Sequence, residues 1–330
     1  MKHSNSPSTN ILRDQNVQMD YLVTPNAERI AFDIFNSFQK GFHCFALIGS
    51  FGTGKSSFLW ALQQTLSKSQ PFFDINSSNF TGAIKFINFV GEYASLNTEF
   101  NERFEVTQDL EGNQKLFDKI FQEYQDLHKD NGLLVIVIDE FGKFLEYAAK
   151  NNPEKEMYFV QKLAEFVNKP DRNILLLTSL HQSIDSYIGS LTSSQIQEWK
   201  KVKGRFKELT FNEPVEQLLY LASSHFKKNI GQNEDAKKVK LIDEFNLFKT
   251  QNDYLSQIES SLYPLDAISA YVLGSAVQRY GQNERSLFTF LNSLEYAELI
   301  ESKNRFDLAS LYDYLYKEFY QHLNGKLNPD

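Results

Sequence analysis

The order of patterns along this chain predicts an α/β fold: a parallel sheet of about five strands with helices on both faces, followed by an all-helical region. Three observations carry the prediction. Short apolar runs alternate with helical periodicity up to about residue 212. Beyond that point only helical periodicity remains. A glycine-rich turn, residues 49–56, joins the first run to an apolar helix. Continuous apolar runs of this kind are what a sheet covered on both faces requires, since each strand then packs on two sides.

In chain order, residues 1–20 are polar and are expected to form a loose tail. Residues 26–39 read as a helix with Ile30, Ile34 and Phe38 on one face. The strand runs are 43–48, 84–90, 133–138, 174–178 and 206–211. Helical patterns between them supply the crossovers that parallel strands need. Helices are then expected at 215–226, 265–280, 286–299 and 308–323, with a polar loop or insertion across 227–261. The expected organisation is therefore a tail at 1–20, a sheet domain at 21–212 and a helical lid domain at 213–330.

Composition narrows the class. With 330 residues, 42% hydrophobic and 23% charged, the chain has the balance of a globular protein. A net charge of −8 gives no support to non-specific coating of nucleic acid, although a local basic patch would be compatible with it. One cysteine, Cys44, excludes a disulfide framework and fits a reducing cytosol. The six histidines show no metal-ligand spacing and read as structural or exposed. No run reaches membrane-spanning length, so a cytoplasmic protein with no membrane partner is expected.

The chemistry begins at Gly49-Ser50-Phe51-Gly52-Thr53-Gly54-Lys55-Ser56, which fits G-x-x-x-x-G-K-[ST] between a strand and a helix. The glycines let successive backbone N–H groups turn inward around phosphates, and the helix start adds its partial positive charge. Gly49 to Ser57 are therefore the expected nucleotide cradle, with Lys55 reaching the outer phosphates and the Ser56 hydroxyl binding Mg2+. The second motif is the strand LLVIVIDE, whose apolar run ends in Asp139 and Glu140. A buried strand cannot hold carboxylates inside, but its carboxyl end opens onto a ligand crevice. Asp139 is the expected Mg2+ ligand and Glu140 the group that orients and polarises water.

Two strings imitate a GTPase. Asp139-Glu140-Phe141-Gly142 reads as D-x-x-G, and Asn168-Lys169-Pro170-Asp171 as N-K-x-D. A guanine-reading N-K-x-D ends a strand, whereas this one follows a helical pattern and carries the breaker Pro170. Thr178 and Ser179, at the expected end of the fourth strand, could place a hydroxyl beside the γ-phosphate. The basic cluster Lys200, Lys201, Lys203 and Arg205 precedes the fifth strand and reads either as a solvated face or as a contact for nucleic acid or a neighbouring subunit's nucleotide.

Together these motifs resemble the AAA+ ATPases over about residues 21–300. The resemblance implies that Arg205, just before the fifth strand, reaches a neighbouring subunit's site in a homo-oligomer. It implies that Arg285, opening a lid helix, meets the phosphates, and that the purine lies near residues 21–25. The asparagine common at the end of the fourth strand in that class is absent here. More narrowly, IDEFGKFLEYA (138–148), TSLHQSIDSY (178–187), QEWKKVKGRF (197–206) and YPLDAISAYVLGSAVQRYGQNERSLFTFL (263–291) resemble the N-terminal ATPase region of large bacterial ATP-binding proteins, some from anti-phage defence loci. Those proteins run far beyond 330 residues, so an excised ATPase module or a short relative, lacking any effector part, is expected.

The expected function is hydrolysis of ATP with Mg2+, driving or switching a partner or assembly, with a protein effector as the expected partner. A nucleotide-dependent scaffold that turns over negligibly is the rival reading, and Glu140 argues against it, because a pure binder has no use for that acid. A GTPase and a small-molecule kinase are weaker alternatives.

Overall fold

The computed structural model of the chain describes residues 9–50, 52–75, 80–107, 112–128, 130–188, 191–225, 258, 260–280, 287–302 and 304–326. By contact the chain divides into two units: one holds residues 6–49 and 54–212, the other 213–330 with the loop residues Ser50–Thr53.

Among the described residues of the first unit, five strands form one sheet: β1 (Cys44–Ile48), β2 (Ile84–Val90), β3 (Leu133–Asp139), β4 (Ile174–Leu180) and β5 (Lys207–Thr210). Their order is β2-β3-β4-β1-β5, and every neighbouring pair is parallel. All carboxyl ends therefore share one edge, and the segments leaving β3, β4 and β1 are side by side there. The helices of this unit are α1 (Pro25–Phe38), α2 (Lys55–Leu66), α3 (Leu96–Arg103), α4 (Gly112–His128), α5 (Phe141–Lys150), α6 (Pro153–Val167) and α7 (Ser193–Lys203), with a 3-10 turn at Ile184–Tyr187.

The apolar runs are unbroken because alternate residues enter different cores. In β3, Leu134, Ile136 and Ile138 join one cluster with α3 to α7, while Leu133, Val135 and Val137 join another with α1 and α2. All seven residues of β3 are buried. Each large aliphatic side chain buried in this way contributes about 1.5–3 kcal/mol, so the strand leaves no place for a charge until its end.

Helix starts follow local chemistry. The Thr24 hydroxyl accepts from Ala27 N at 3.0 Å, ahead of Pro25 at the first helical position of α1. Thr192 and Gln195 form a reciprocal capping box at α7.

The polarity of residues 1–20 suggests a loose tail, but Ile11 and Asp14 are buried and anchor this part of the segment, while Leu12 and Val17 stay exposed. Ile11 is buried in the cluster with α1 and α2. Trp60 Nε1 donates to Asp14 O at 3.0 Å, and Gln64 Nε2 donates to Gln15 O at 2.9 Å. One isoleucine and the backbone carbonyls hold the segment on α2, and neither is visible in a polarity count.

In the second unit the described helices are α8 (Val215–His225), α9 (Ala267–Tyr280), α10 (Leu287–Leu291), α11 (Leu294–Ser302) and α12 (Leu308–Lys326). They close around their own core of Leu219, Leu262, Leu273, Phe290, Tyr296, Phe306 and Leu311. Asp266 caps α9, accepting from Ile268 N and Ser269 N at 3.0 and 3.1 Å. No helix among the described residues is long and apolar enough to cross a membrane.

Candidate functional site

The turn from β1 into α2 is built for close backbone approach. A Cβ on Gly49 would collide with the Phe211 carbonyl just past β5, so only glycine fits there. Gly49 N donates to Leu180 O at 3.1 Å, which ties the loop entry to the end of β4. Gly52 and Gly54 have φ of 71° and 88°, in the left-handed region that glycine enters without strain. Within the loop, Thr53 Oγ1 donates to Ser50 O at 2.9 Å. Phe51 lies outside the described residues.

Lys55 opens α2 and is buried, and its Nζ donates to Gly49 O at 2.6 Å. Burial pushes its pKa down to about 8, against the opposing pull of Asp139 and Glu140. Ser56 follows, and its side chain hydrogen-bonds Asp139. Ser57 Oγ lies 2.8 Å from Thr9 Oγ1, so the packed opening segment also touches the start of α2.

At the end of β3, Asp139 is almost fully buried. Desolvation raises its pKa, while hydrogen bonds from Ser179 and Ser56 work in the other direction. Ser179 Oγ donates to Asp139 Oδ1 and accepts from Glu140 N, the latter at 2.9 Å. Glu140 adopts a left-handed backbone, φ 53° and ψ 37°, as the residue before α5. Gly91 makes room for it, because a Cβ there would strike the Glu140 carbonyl. A non-glycine residue held left-handed costs about 1–3 kcal/mol, and here the close approach of Gly91 and the hydrogen bond from Glu140 N to Ser179 Oγ hold it. The Glu140 carboxylate is paired with Lys143 Nζ one turn into α5.

Lys55, Ser56, Asp139, Glu140 and Ser179 are thus brought together at the carboxyl ends of β1, β3 and β4. Thr178 does not join them. The strand runs two residues past the expected end, because β4 keeps its register with β1 to Leu180↔Ile48. Thr178 is consequently interior and fully buried, and its Oγ1 donates to Phe45 O at 3.1 Å.

Arg205 is also elsewhere. It precedes β5, which runs parallel to β1, so it lies at the edge of the sheet opposite the loop. There its Nη2 meets Glu165 Oε1 at 2.6 Å and its Nη1 donates to Lys201 O at 2.8 Å. Within the basic cluster Lys201 pairs with Glu198, and Lys203 with Asp185. Asn168 lies at that same far edge, accepting from His43 N at 3.1 Å and reaching Arg205 O at 3.3 Å. The string that imitates guanine recognition is a helix stop at the wrong end of the sheet. Arg285 lies outside the described residues.

Two groups here are absent from the motif reading. His181 follows Leu180, and its pKa is pushed down to about 3, first by burial and then by the charges of Lys55 and Lys143. It is therefore a neutral imidazole just past the end of β4. Lys143 is the cation on Glu140. The only available signal was position, one residue past β4 and three past Glu140.

Residues 45–198 match the family described as "ATPase family associated with various cellular activities (AAA)". The fold is the AAA+ P-loop fold. The matched span runs from β1 into α7 and stops short of Arg205. No curated protein matches the chain. Among solved structures, Drosophila ORC bound to DNA is similar over 96% of this chain and 67% of that one, at 12% identity and a TM-score of 0.50. Aeropyrum pernix ORC2 is similar over 87% of this chain and 70% of that one, at 14% identity and 0.45. Domain III of the Thermotoga maritima initiation protein DnaA is similar over 88% and 91%, at 9% identity and 0.36. At such identities likeness speaks to fold alone.

Proposed function

We propose that this AAA+ module binds ATP with Mg2+ and hydrolyses it, with turnover completed by a second copy of the chain. The observation that supports this best is the meeting of Lys55, Ser56, Asp139, Glu140 and Ser179 at one end of the sheet. Ser56 and Asp139 offer hard oxygen donors and already share a hydrogen bond, which fits the preferences of Mg2+. The raised pKa of Asp139 marks a carboxylate whose burial a dication would offset. Bound there, Mg2+ would neutralise phosphate charge.

The residues of the chain do the rest. The backbone N–H groups of the loop and the start of α2 hold the phosphates. Lys55 turns from Gly49 O towards the outer phosphates. Glu140 orients a water and accepts its proton as the water oxygen attacks the γ-phosphorus and the bond to the β–γ bridging oxygen breaks. Ser179 fixes both acids through one hydroxyl. Arg205 is too far along the sheet to serve its own nucleotide, and its planar fork suits a neighbour's γ-phosphate. Assembly through Arg205, a protein effector moved by the cycle, the purine near residues 21–25 and Arg285 at the phosphates belong to the same reading. So does a part in anti-phage defence. These points rest on the AAA+ and defence-locus resemblances, and cytoplasmic residence on the single cysteine, which fits a reducing cytosol.

The test is Glu140→Gln, which removes the charge but keeps the shape. MgATP affinity should stay within a few-fold, while steady-state turnover falls by about 10²-fold or more. Unchanged turnover would remove Glu140 from the mechanism. Wild-type turnover no faster than that of the variant would favour the nucleotide-gated scaffold.

A further inference from the structure

Glu140 enters the site already occupied by a partner. Lys143, in the first turn of α5, is half exposed and holds the Glu140 carboxylate. Its backbone is fixed: Lys143 N donates to Glu140 O at 3.1 Å, and Gly142 beside it packs so closely on the Tyr187 hydroxyl that a Cβ would not fit. The side chain is not fixed, because a lysine stem turns freely on its four carbons. Lys143 also acts on His181, and Lys55 acts on the same imidazole. Both ammonium groups therefore act on the space around the imidazole that follows β4. A terminal phosphate entering this space brings oxygens that outcompete one half-exposed carboxylate for a flexible cation.

Building on the ATPase reading, we propose that Lys143 is a second cation of the phosphate site, which rests on Glu140 until a triphosphate is bound and then moves to the γ-phosphate, leaving Glu140 free to take the water. The chain thereby links recognition of the third phosphate to release of its own general base. A diphosphate does not reach Lys143 and leaves Glu140 held.

The experiment uses the full chain with Mg2+ and compares the affinities of ADP and of a non-hydrolysable ATP analogue by calorimetry. Lys143→Ala should weaken the analogue about tenfold and leave ADP within about twofold. Lys143→Arg should restore most of the difference. Glu140→Gln should tighten the analogue a few-fold, because Lys143 is no longer held, and that gain should vanish in the Glu140→Gln, Lys143→Ala double variant. A purely structural Lys143 would leave the ratio of the two affinities unchanged. An unchanged ratio, an equal loss for both nucleotides, or a gain in Glu140→Gln that persists without Lys143 overturns the proposal. Such a result leaves the ATPase reading standing, since that reading rests on turnover in Glu140→Gln. A wild-type chain that binds neither nucleotide overturns both.

Discussion

Lys55 is a cation kept out of water, and on the ATPase reading that makes nucleotide binding a titration. Its pKa lies at about 8 rather than the ordinary 10.5, because burial disfavours the charged form more than Asp139 and Glu140 favour it. Between those two values the nucleotide-free chain holds Lys55 mainly neutral, whereas phosphate oxygens demand the ammonium. Binding in that window must therefore take up a proton, and affinity falls as pH rises above about 8. Calorimetry in buffers of differing ionisation enthalpy should show uptake approaching one proton in the wild type and none in Lys55→Met. Lys55→Ala should weaken ATP by a few kcal/mol, the cost of losing one charge-assisted phosphate contact. Wild-type affinity in that variant would show that the loop does not hold the nucleotide. At this scale Asp139 and Glu140 were legible, since no buried strand tolerates adjacent carboxylates except at its open end. His181 and Lys143 were not, since a lone histidine and a helix lysine carry no spacing signal and gain meaning only from what folds beside them.

Elements explain why the Asn168-Lys169-Pro170-Asp171 string lies away from the candidate site. Helix α6 ends at Val167, and Asn168 caps it while pinning the entry of β1 through His43 N. Asn168→Ala should cost about 1–3 kcal/mol in chemical denaturation, the penalty of stranding a buried N–H, and leave nucleotide preference untouched. In competition, ATP should displace a bound fluorescent nucleotide more effectively than GTP. Tighter GTP binding would restore the rejected reading. The opening segment adds a second test. Ile11→Ala removes a fully buried side chain wedged against α1 and α2 and should destabilise the first unit by about 2–5 kcal/mol. A change within 0.5 kcal/mol would mean that the segment is not docked in solution. The central strand positions were readable because strands covered on both faces need short unbroken apolar runs. The end of β4 was misjudged, because Thr178 and Ser179 look alike in sequence, and only pairing with β1 puts one hydroxyl inside the strand and the other on Asp139.

For the molecule as a whole, the open question is where the arginine acts. Arg205 lies at the sheet edge opposite the loop, held by Glu165, whose carboxyl is brought down to about 2 by hydrogen bonds from Gln161, Lys162 and Arg205. A trans role requires Arg205 to leave Glu165 for a neighbour's phosphate, so hydrolysis should rise with protein concentration. Arg205→Ala should bind ATP within a few-fold of wild type and lose about 10³-fold in turnover, in line with arginines supplied in trans to GTPases. Mixing it with Lys55→Ala protein should recover activity, because each variant supplies what the other lacks at a shared interface. Two inactive variants that stay inactive when mixed, in a chain that remains monomeric with ATP, would return Arg205 to a solvated basic face.

The sequence alone determined the class of fold, the glycine-rich turn and the pair of acids, because each is a local consequence of backbone chemistry. Glycines permit left-handed turns, and continuous apolar runs need two covered faces. Carboxylates must find the end of a buried strand. The tertiary structure decided what depends on strand order and register. It sent Ser179 to Asp139 and Thr178 into the strand, set Asn168 and Arg205 at the far edge, and paired Lys143 with Glu140. Parallel pairing brings residues more than a hundred positions apart to one edge of the sheet, and no local pattern in the chain encodes that meeting.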